Sequence, residues 1–134
     1  MKTKILLSIL ITLGIMLSSC TKEDTLKDEK TLKGKWVIKT SIILGMEFSG
    51  NGDYLKFNEC SDVCSGEDYE STNKTTGLFT YEMSTDEKTL IIDDIMDEGG
   101  NWDGTWNVDE FTYTSLKISK NTFLGKATFI FNKQ

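Results

Sequence analysis

The chain has 134 residues, 38% of them apolar, enough for one domain and too few for two. Fifteen Lys against 21 Asp plus Glu leave a net charge of −6, which argues against a nucleic-acid or anionic-lipid partner, because no basic stripe exists to displace condensed counterions. The sequence holds no His, Arg or Pro, which excludes Ser-His-Asp and Cys-His catalysis, His-metal centres and guanidinium clamps on phosphate.

The first segment reads as an address. Lys2 and Lys4 precede an apolar run from Ile5 to Leu17 broken only by Ser8, Thr12 and Gly14, too short to span a bilayer comfortably. It ends at Leu17-Ser18-Ser19-Cys20, which resembles the lipobox of bacterial lipoproteins. That resemblance implies that residues 1–19 are a cleaved signal peptide and that Cys20 becomes a lipidated N-terminus. Small side chains before the Cys let a peptidase reach the bond, and the thiol takes the diacylglycerol. At about 0.8 kcal/mol per buried CH₂, several acyl chains hold a protein to a membrane without any basic patch.

Residues 20–31 are polar except for Leu26 and read as a flexible tether. Within them Lys22-Glu23-Asp24 is similar to the export signal of Bacteroidota surface lipoproteins, which implies an outer-membrane lipoprotein displayed toward the medium. An ordinary solvated tether accounts for the same residues equally well.

From Leu32 onward short apolar alternations are separated by turn signals. Eight strands are expected: Gly34 to Thr40, Ile43 to Phe48, Asp53 to Cys60, Thr76 to Ser84, Lys88 to Ile95, Gly104 to Thr112, Tyr113 to Ser119 and Thr122 to Asn132. Their connections carry hairpin chemistry, as in Ser49-Gly50-Asn51-Gly52 and Glu98-Gly99-Gly100-Asn101, with one long loop from Ser61 to Thr75. Alternation places Phe79, Tyr81 and Met83 on one face, and Phe123, Gly125, Ala127, Phe129 and Phe131 on another. Eight sequential antiparallel strands with one apolar face each, and no helices to cover them, are best buried by closing the sheet on itself. The expected fold is all-β, an eight-stranded antiparallel up-and-down barrel over residues 32–134, with a two-sheet sandwich as the competing solution.

Leu32-Lys33-Gly34-Lys35-Trp36 at the opening of the first strand resembles the Leu-x-Gly-x-Trp start of the lipocalin-like domains of small Bacteroidota lipoproteins. The likeness extends to the Phe-rich last strand. It implies a barrel in which Gly34 turns the chain in tightly and Trp36 plugs the closed end, often beneath an Arg from the last strand. No Arg is present here, so Lys126 or Lys133 would have to take that place.

An eight-stranded barrel either fills with its own side chains or holds one small ligand. Candidate pocket residues are Phe57, Phe79, Tyr81, Ile92, Trp106, Ala127 and Phe129, a set that also describes a plain aromatic core. A ligand there would be small and apolar, since no inward cation is evident to neutralise an acid. In an exported chain Cys60 and Cys64 suggest a disulfide stapling the loop that follows the third strand. From Gly99 onward Asn101, Asp103 and Glu110 fall at the third, fifth and twelfth places of an EF-hand-like loop, but Gly99 stands where Asp is needed and no helical pattern flanks it. Asp93-Asp94 and Asp109-Glu110 are adjacent on strands, so the two members of each pair face opposite ways and do not converge on one substrate.

The expectation is a membrane-tethered, non-enzymatic lipoprotein without metal or cofactor that binds a small apolar ligand. The alternative is a filled barrel acting as an interaction module, with an exposed apolar patch near Trp102 and the Cys60 to Cys64 loop. A small enzyme is the remote third reading.

Overall fold

A computed structural model describes residues 30–95 and 100–134. The signal peptide, Cys20 and nearly all of the tether lie outside the described residues. The rest is antiparallel strand and turn: β1 (Gly34–Ile43), β2 (Met46–Ser49), β3 (Tyr54–Phe57), β4 (Ser65–Glu70), β5 (Thr75–Met83), β6 (Thr89–Asp94), β7 (Gly104–Phe111), β8 (Ser115–Thr122) and β9 (Gly125–Lys133). β1 pairs with both β2 and β3, each strand from β3 onward pairs with the next, and β9 returns to pair with β1 from Trp36↔Lys133 to Ile43↔Ala127. The sheet is therefore closed, and closure removes the two edges that an open sheet of this length would expose.

Nine strand segments make eight staves, because β2 and β3 lie end to end along β1. β2 pairs with the upper half of β1 (Thr40↔Ser49) and β3 with its lower half (Val37↔Tyr54). The Ser49-Gly50-Asn51-Gly52 stretch, expected as a hairpin turn, belongs to an excursion within one stave. Gly50 N–H donates to Lys39 O at 2.8 Å and Ile38 N–H donates to Asp53 O at 2.9 Å, so the ladder resumes on both sides of it. Only glycine fits at position 50, since a Cβ there would lie 1.8 Å from the Ile38 carbonyl oxygen. The eighth stave comes from β4, inside the expected Ser61 to Thr75 loop.

The barrel axis is filled. Trp36, Leu55, Phe57, Phe79, Leu90, Ile92, Leu116, Ile118 and Phe131 are all fully buried and belong to one cluster. Aromatic rings dominate it. Phe57 and Phe79 meet edge-on at 5.4 Å, Phe57 and Tyr81 at 4.9 Å, and Trp102 and Phe129 at 4.8 Å, geometries that add to plain area burial. Phe123, expected on the inward face of the last strand, instead forms the β8–β9 turn with Leu124 and is 96% exposed. Thr122↔Gly125 is the last rung there, so the alternation outlives the strand that would have turned Phe123 inward.

Candidate functional site

Both rims of the barrel carry the same three-part device. At the rim where the chain enters, Gly34 opens β1 with φ +123°, a conformation that side chains other than hydrogen rarely adopt. Two residues on, Trp36 is fully buried and its indole N–H donates to the Leu32 carbonyl at 2.6 Å. Its cross-strand partner Lys133 holds Nζ 5.2 Å from the ring centroid and donates to the Thr31 carbonyl at 2.8 Å. The lysine passes directly over Gly34, where a Cβ would come within 2.9 Å of its Cε. Of the two lysines of the last strand, Lys133 is thus the one that lies over Trp36; Lys126 instead pairs with Asp109 at 3.7 Å.

Because β7 runs opposite to β1, its first residue lies at the other rim, and the pattern recurs. Gly104 has φ +113°, Trp106 is buried, and its indole N–H donates to the Trp102 carbonyl at 2.7 Å. Lys120 of β8 holds Nζ 5.2 Å from the Trp106 centroid and donates to the Asp103 carbonyl. A Cβ on Gly104 would meet that Nζ at 2.8 Å. Each device satisfies an indole donor with a carbonyl four residues back, and each spreads a cation over the ring face. Leu32-x-Gly34-x-Trp36 and Trp102-x-Gly104-x-Trp106 are the repeated sequence signal, and the second is the one that the sequence analysis misses.

Trp102 is therefore a buried plug residue, 8% exposed, and not part of an exposed aromatic patch. Its approach is fixed by two carboxylates. Trp102 and Asp103 N–H groups donate to Asp94 Oδ2 at 3.2 and 3.1 Å, and Gly100 N–H donates to Asp68. Asp68 is buried, which raises its carboxyl above the ordinary range; the Gly100 N–H acts in the opposite direction, and the nearby Asp94 adds to the rise. Asp103 and Gly104, expected neighbours in an EF-hand-like spacing with Glu110, sit at the start of β7. The strand carries Glu110 roughly 20 Å away from Asp103, too far to share one ion.

The sequence-predicted pocket residues divide between core and rims. Phe57, Phe79, Ile92 and Trp106 pack into the core, with Ala127 half-buried on β9. Tyr81 borders an open cleft of about 1310 Å³ at the chain-entry rim, and Phe129 borders a smaller one of about 190 Å³ at the opposite rim. The large cleft has apolar walls of Leu32, Met83 and Phe111 and a charged border in which Lys30 pairs with Glu87 and Lys33 with Glu59. Lys33 holds the Glu59 carboxyl below its ordinary value. Tyr81 donates its hydroxyl to the Asn58 carbonyl at 2.9 Å, and burial pushes its phenol up, so it is a neutral fixed wall. Cys60 and Cys64 are paired across a Cα–Cα distance of 4.4 Å and close the turn beside this cleft, with Val63 between them 65% exposed.

Comparison of the chain with family models, with curated proteins and with solved structures finds no match.

Proposed function

We propose that this chain is a membrane-tethered, non-enzymatic module of the bacterial cell envelope, held by acyl chains on Cys20, whose filled barrel presents its rims to partners. One observation carries the choice of a filled module over an axial carrier. The same Gly-Trp-Lys arrangement stands near both ends of the barrel, with aromatic rings packed between, so a ligand that enters the open cleft at the chain-entry rim meets a packed axis beneath it. The lipocalin-like reading draws support from the first seal, where Lys133 of the last strand covers Trp36 as an arginine would. The non-enzymatic reading rests on residue types, since the sequence has neither the His that most often transfers protons nor the Arg that clamps phosphate.

The entry-rim cleft favours a second reading, in which a small apolar molecule lies against Leu32, Met83 and Phe111 outside the axis. A titration of the mature protein with a long-chain fatty acid, followed by tryptophan emission, tests the choice. In a Trp36→Phe background, which silences the tryptophan beside the entry-rim cleft, a filled barrel leaves the emission of buried Trp102 and Trp106 unchanged. A saturable shift in that emission, lost when Ile118 is enlarged to Phe, means that the axis takes ligand and the filled reading is wrong.

A further inference from the structure

Closure of the sheet leaves one stretch of edge. β2 pairs with β1 and with no other strand, because the stave beyond it belongs to β4, which stops lower down: β3 meets β4 up to Tyr54↔Tyr69, and β4 turns back into β5 at Glu70↔Thr75. The main chain of β2 shows which groups this leaves bare. Leu44 and Gly45 form a two-residue turn with φ +55° and +77°, which makes Ile43↔Met46 the hydrogen-bonded closing pair. At the other end Gly50 N–H donates to Lys39 O at 2.8 Å, so Met46, Phe48 and Gly50 turn their amides toward β1 while Glu47 and Ser49 turn theirs away. All four β2 residues are exposed, and among the described residues the outward N–H and C=O groups of Glu47 and Ser49 meet no partner. A bare run of strand main chain is a template for one more strand.

The side chains beside this edge set the chemistry of what can lie there. Ser41 pairs with both Phe129 and Phe48, and Ile43 with both Ala127 and Met46, so Met46 and Phe48 share the face of Phe129, whose ring packs on Trp102 inside the barrel. Above the packed core this face is open, leaving Met46 57% and Phe48 47% exposed. Glu47 points to the outer face. Asp53 and Glu70 stand at the top of the shortened β3–β4 wall, where they border the cleft of about 190 Å³ together with Trp102 and Phe129. Among the described residues no lysine pairs with Glu47, Asp53 or Glu70.

We infer that β2 takes up an extended segment of a partner protein as an added strand, antiparallel to β2 and in line with β4. Alternate apolar side chains of that segment cover Met46 and Phe48, and a lysine or arginine toward its N-terminal end faces Asp53 and Glu70. The inference rests on the reading of a filled barrel that presents its rims, and deepens it by naming the rim and the partner's chemistry. Main-chain bonds to Glu47 and Ser49 supply affinity, and the alternate side chains and the cation supply specificity.

Direction and charge both follow from the staves. A strand antiparallel to β2 runs the way β4 runs, so its N-terminal end lies over Glu70, where β4 stops, and next to Asp53, where β3 is about to begin. A second copy of this chain is the poorer occupant, since pairing β2 with β2 brings two sets of Glu47, Asp53 and Glu70 together with no lysine paired to them. The edge is short, with two residues offering their main chain, so the expected affinity is a Kd of about 0.1–1 mM for an isolated peptide.

The test uses the mature full chain in detergent micelles and, as probe, a synthetic peptide of two lysines followed by valine and threonine in alternation, acetylated and amidated at its ends. Hydrogen–deuterium exchange resolved to single amides reads the edge. Without peptide the Met46 and Phe48 amides exchange slowly and those of Glu47 and Ser49 as in a free chain; equal behaviour of all four overturns the inference. With peptide at about ten times its Kd, the Glu47 and Ser49 amides slow about tenfold. A peptide with glutamate in place of lysine, and one N-methylated at alternate residues, leave both amides as they were. Ser49→Pro removes an outward N–H that the β1–β2 ladder does not use, so Met46 and Phe48 stay slow while Glu47 no longer responds to peptide. No slowing with the lysine peptide at about 5 mM, or equal slowing with the glutamate and N-methylated peptides, overturns the added strand. Slowing confined to Met83 and Phe111 overturns it too and gives the peptide to the chain-entry cleft. Failure of the filled-barrel reading has a separate sign, the fatty-acid shift in Trp102 and Trp106 emission, which these amides do not report.

Discussion

Replacing either sealing tryptophan by phenylalanine separates a sealed barrel from one that is merely packed. Trp36→Phe removes the indole N–H that binds the Leu32 carbonyl at 2.6 Å, and Trp106→Phe removes its counterpart to the Trp102 carbonyl at 2.7 Å. A buried carbonyl left without its donor costs about 1–3 kcal/mol. Loss of part of a fully buried ring, and of the face over which Lys133 or Lys120 rests at 5.2 Å, adds about 1–2 kcal/mol. Each variant should therefore lose about 2–4 kcal/mol, with the two losses within about 1 kcal/mol of each other because the geometry is the same. Urea denaturation followed by far-ultraviolet circular dichroism reads this, with an unchanged m-value confirming that the compactness of neither state has moved. The seals lie at opposite rims and share no partner, so the double variant should be additive within about 0.5 kcal/mol. A loss below about 0.5 kcal/mol at one end would refute the equivalence, and with it the claim that both mouths are closed by design.

Further predictions concern the carboxylates, the disulfide and the tips. Burial raises the Asp68 carboxyl, so the folded state binds an extra proton between the ordinary Asp value and the raised one, and this group's contribution to stability falls as pH rises through that window. Asp68→Asn keeps an acceptor for the Gly100 N–H; it should flatten that slope and be at least as stable as the parent at pH 7, and an unaltered slope in pH-dependent urea melts would contradict the assignment. Cys60→Ser/Cys64→Ser opens a very small loop and should cost no more than about 2 kcal/mol, so a cooperative melt must survive in calorimetry. Phe123→Ser, at a position 96% exposed, should leave the unfolding free energy in urea melts within about 0.5 kcal/mol of the parent.

How far the fold could be read from residues depended on which side chain pointed inward. Phe79 with Tyr81, and Phe129 with Phe131, announce their strands by period two, and Gly34-x-Trp36 announces where the barrel begins. β4 is silent by that criterion because its inward residues are Gly66 and Asp68. Gly66 is small because the Phe79 ring occupies the space, where a Cβ would lie 2.4 Å from the ring's Cζ. Asp68 is polar because it takes the Gly100 N–H. A strand whose inner face is filled from its neighbour shows no hydrophobic alternation of its own.

The count of eight thus survives through two compensating differences, one stave gained at β4 and two expected strands merged along β1. Cross-strand ladders decide such questions, and glycine-rich turn chemistry is the same for a hairpin and for an excursion within one stave. The second seal was hidden for a related reason. Gly99 to Glu110 is dense in Gly, Asn and Asp, which speaks of turns and ion loops, and the meaning of Trp102-x-Gly104-x-Trp106 emerges only when Lys120 arrives from the next strand.

The measurement that bears most directly on the filled, doubly sealed barrel is native mass spectrometry of the mature protein taken from its own membranes, with extraction of any bound small molecule. The account predicts the mass of the acylated chain alone, unchanged after fatty acids, sterols or porphyrin-like compounds are offered. A stoichiometric apolar adduct that survives transfer to the gas phase would contradict it and restore the carrier.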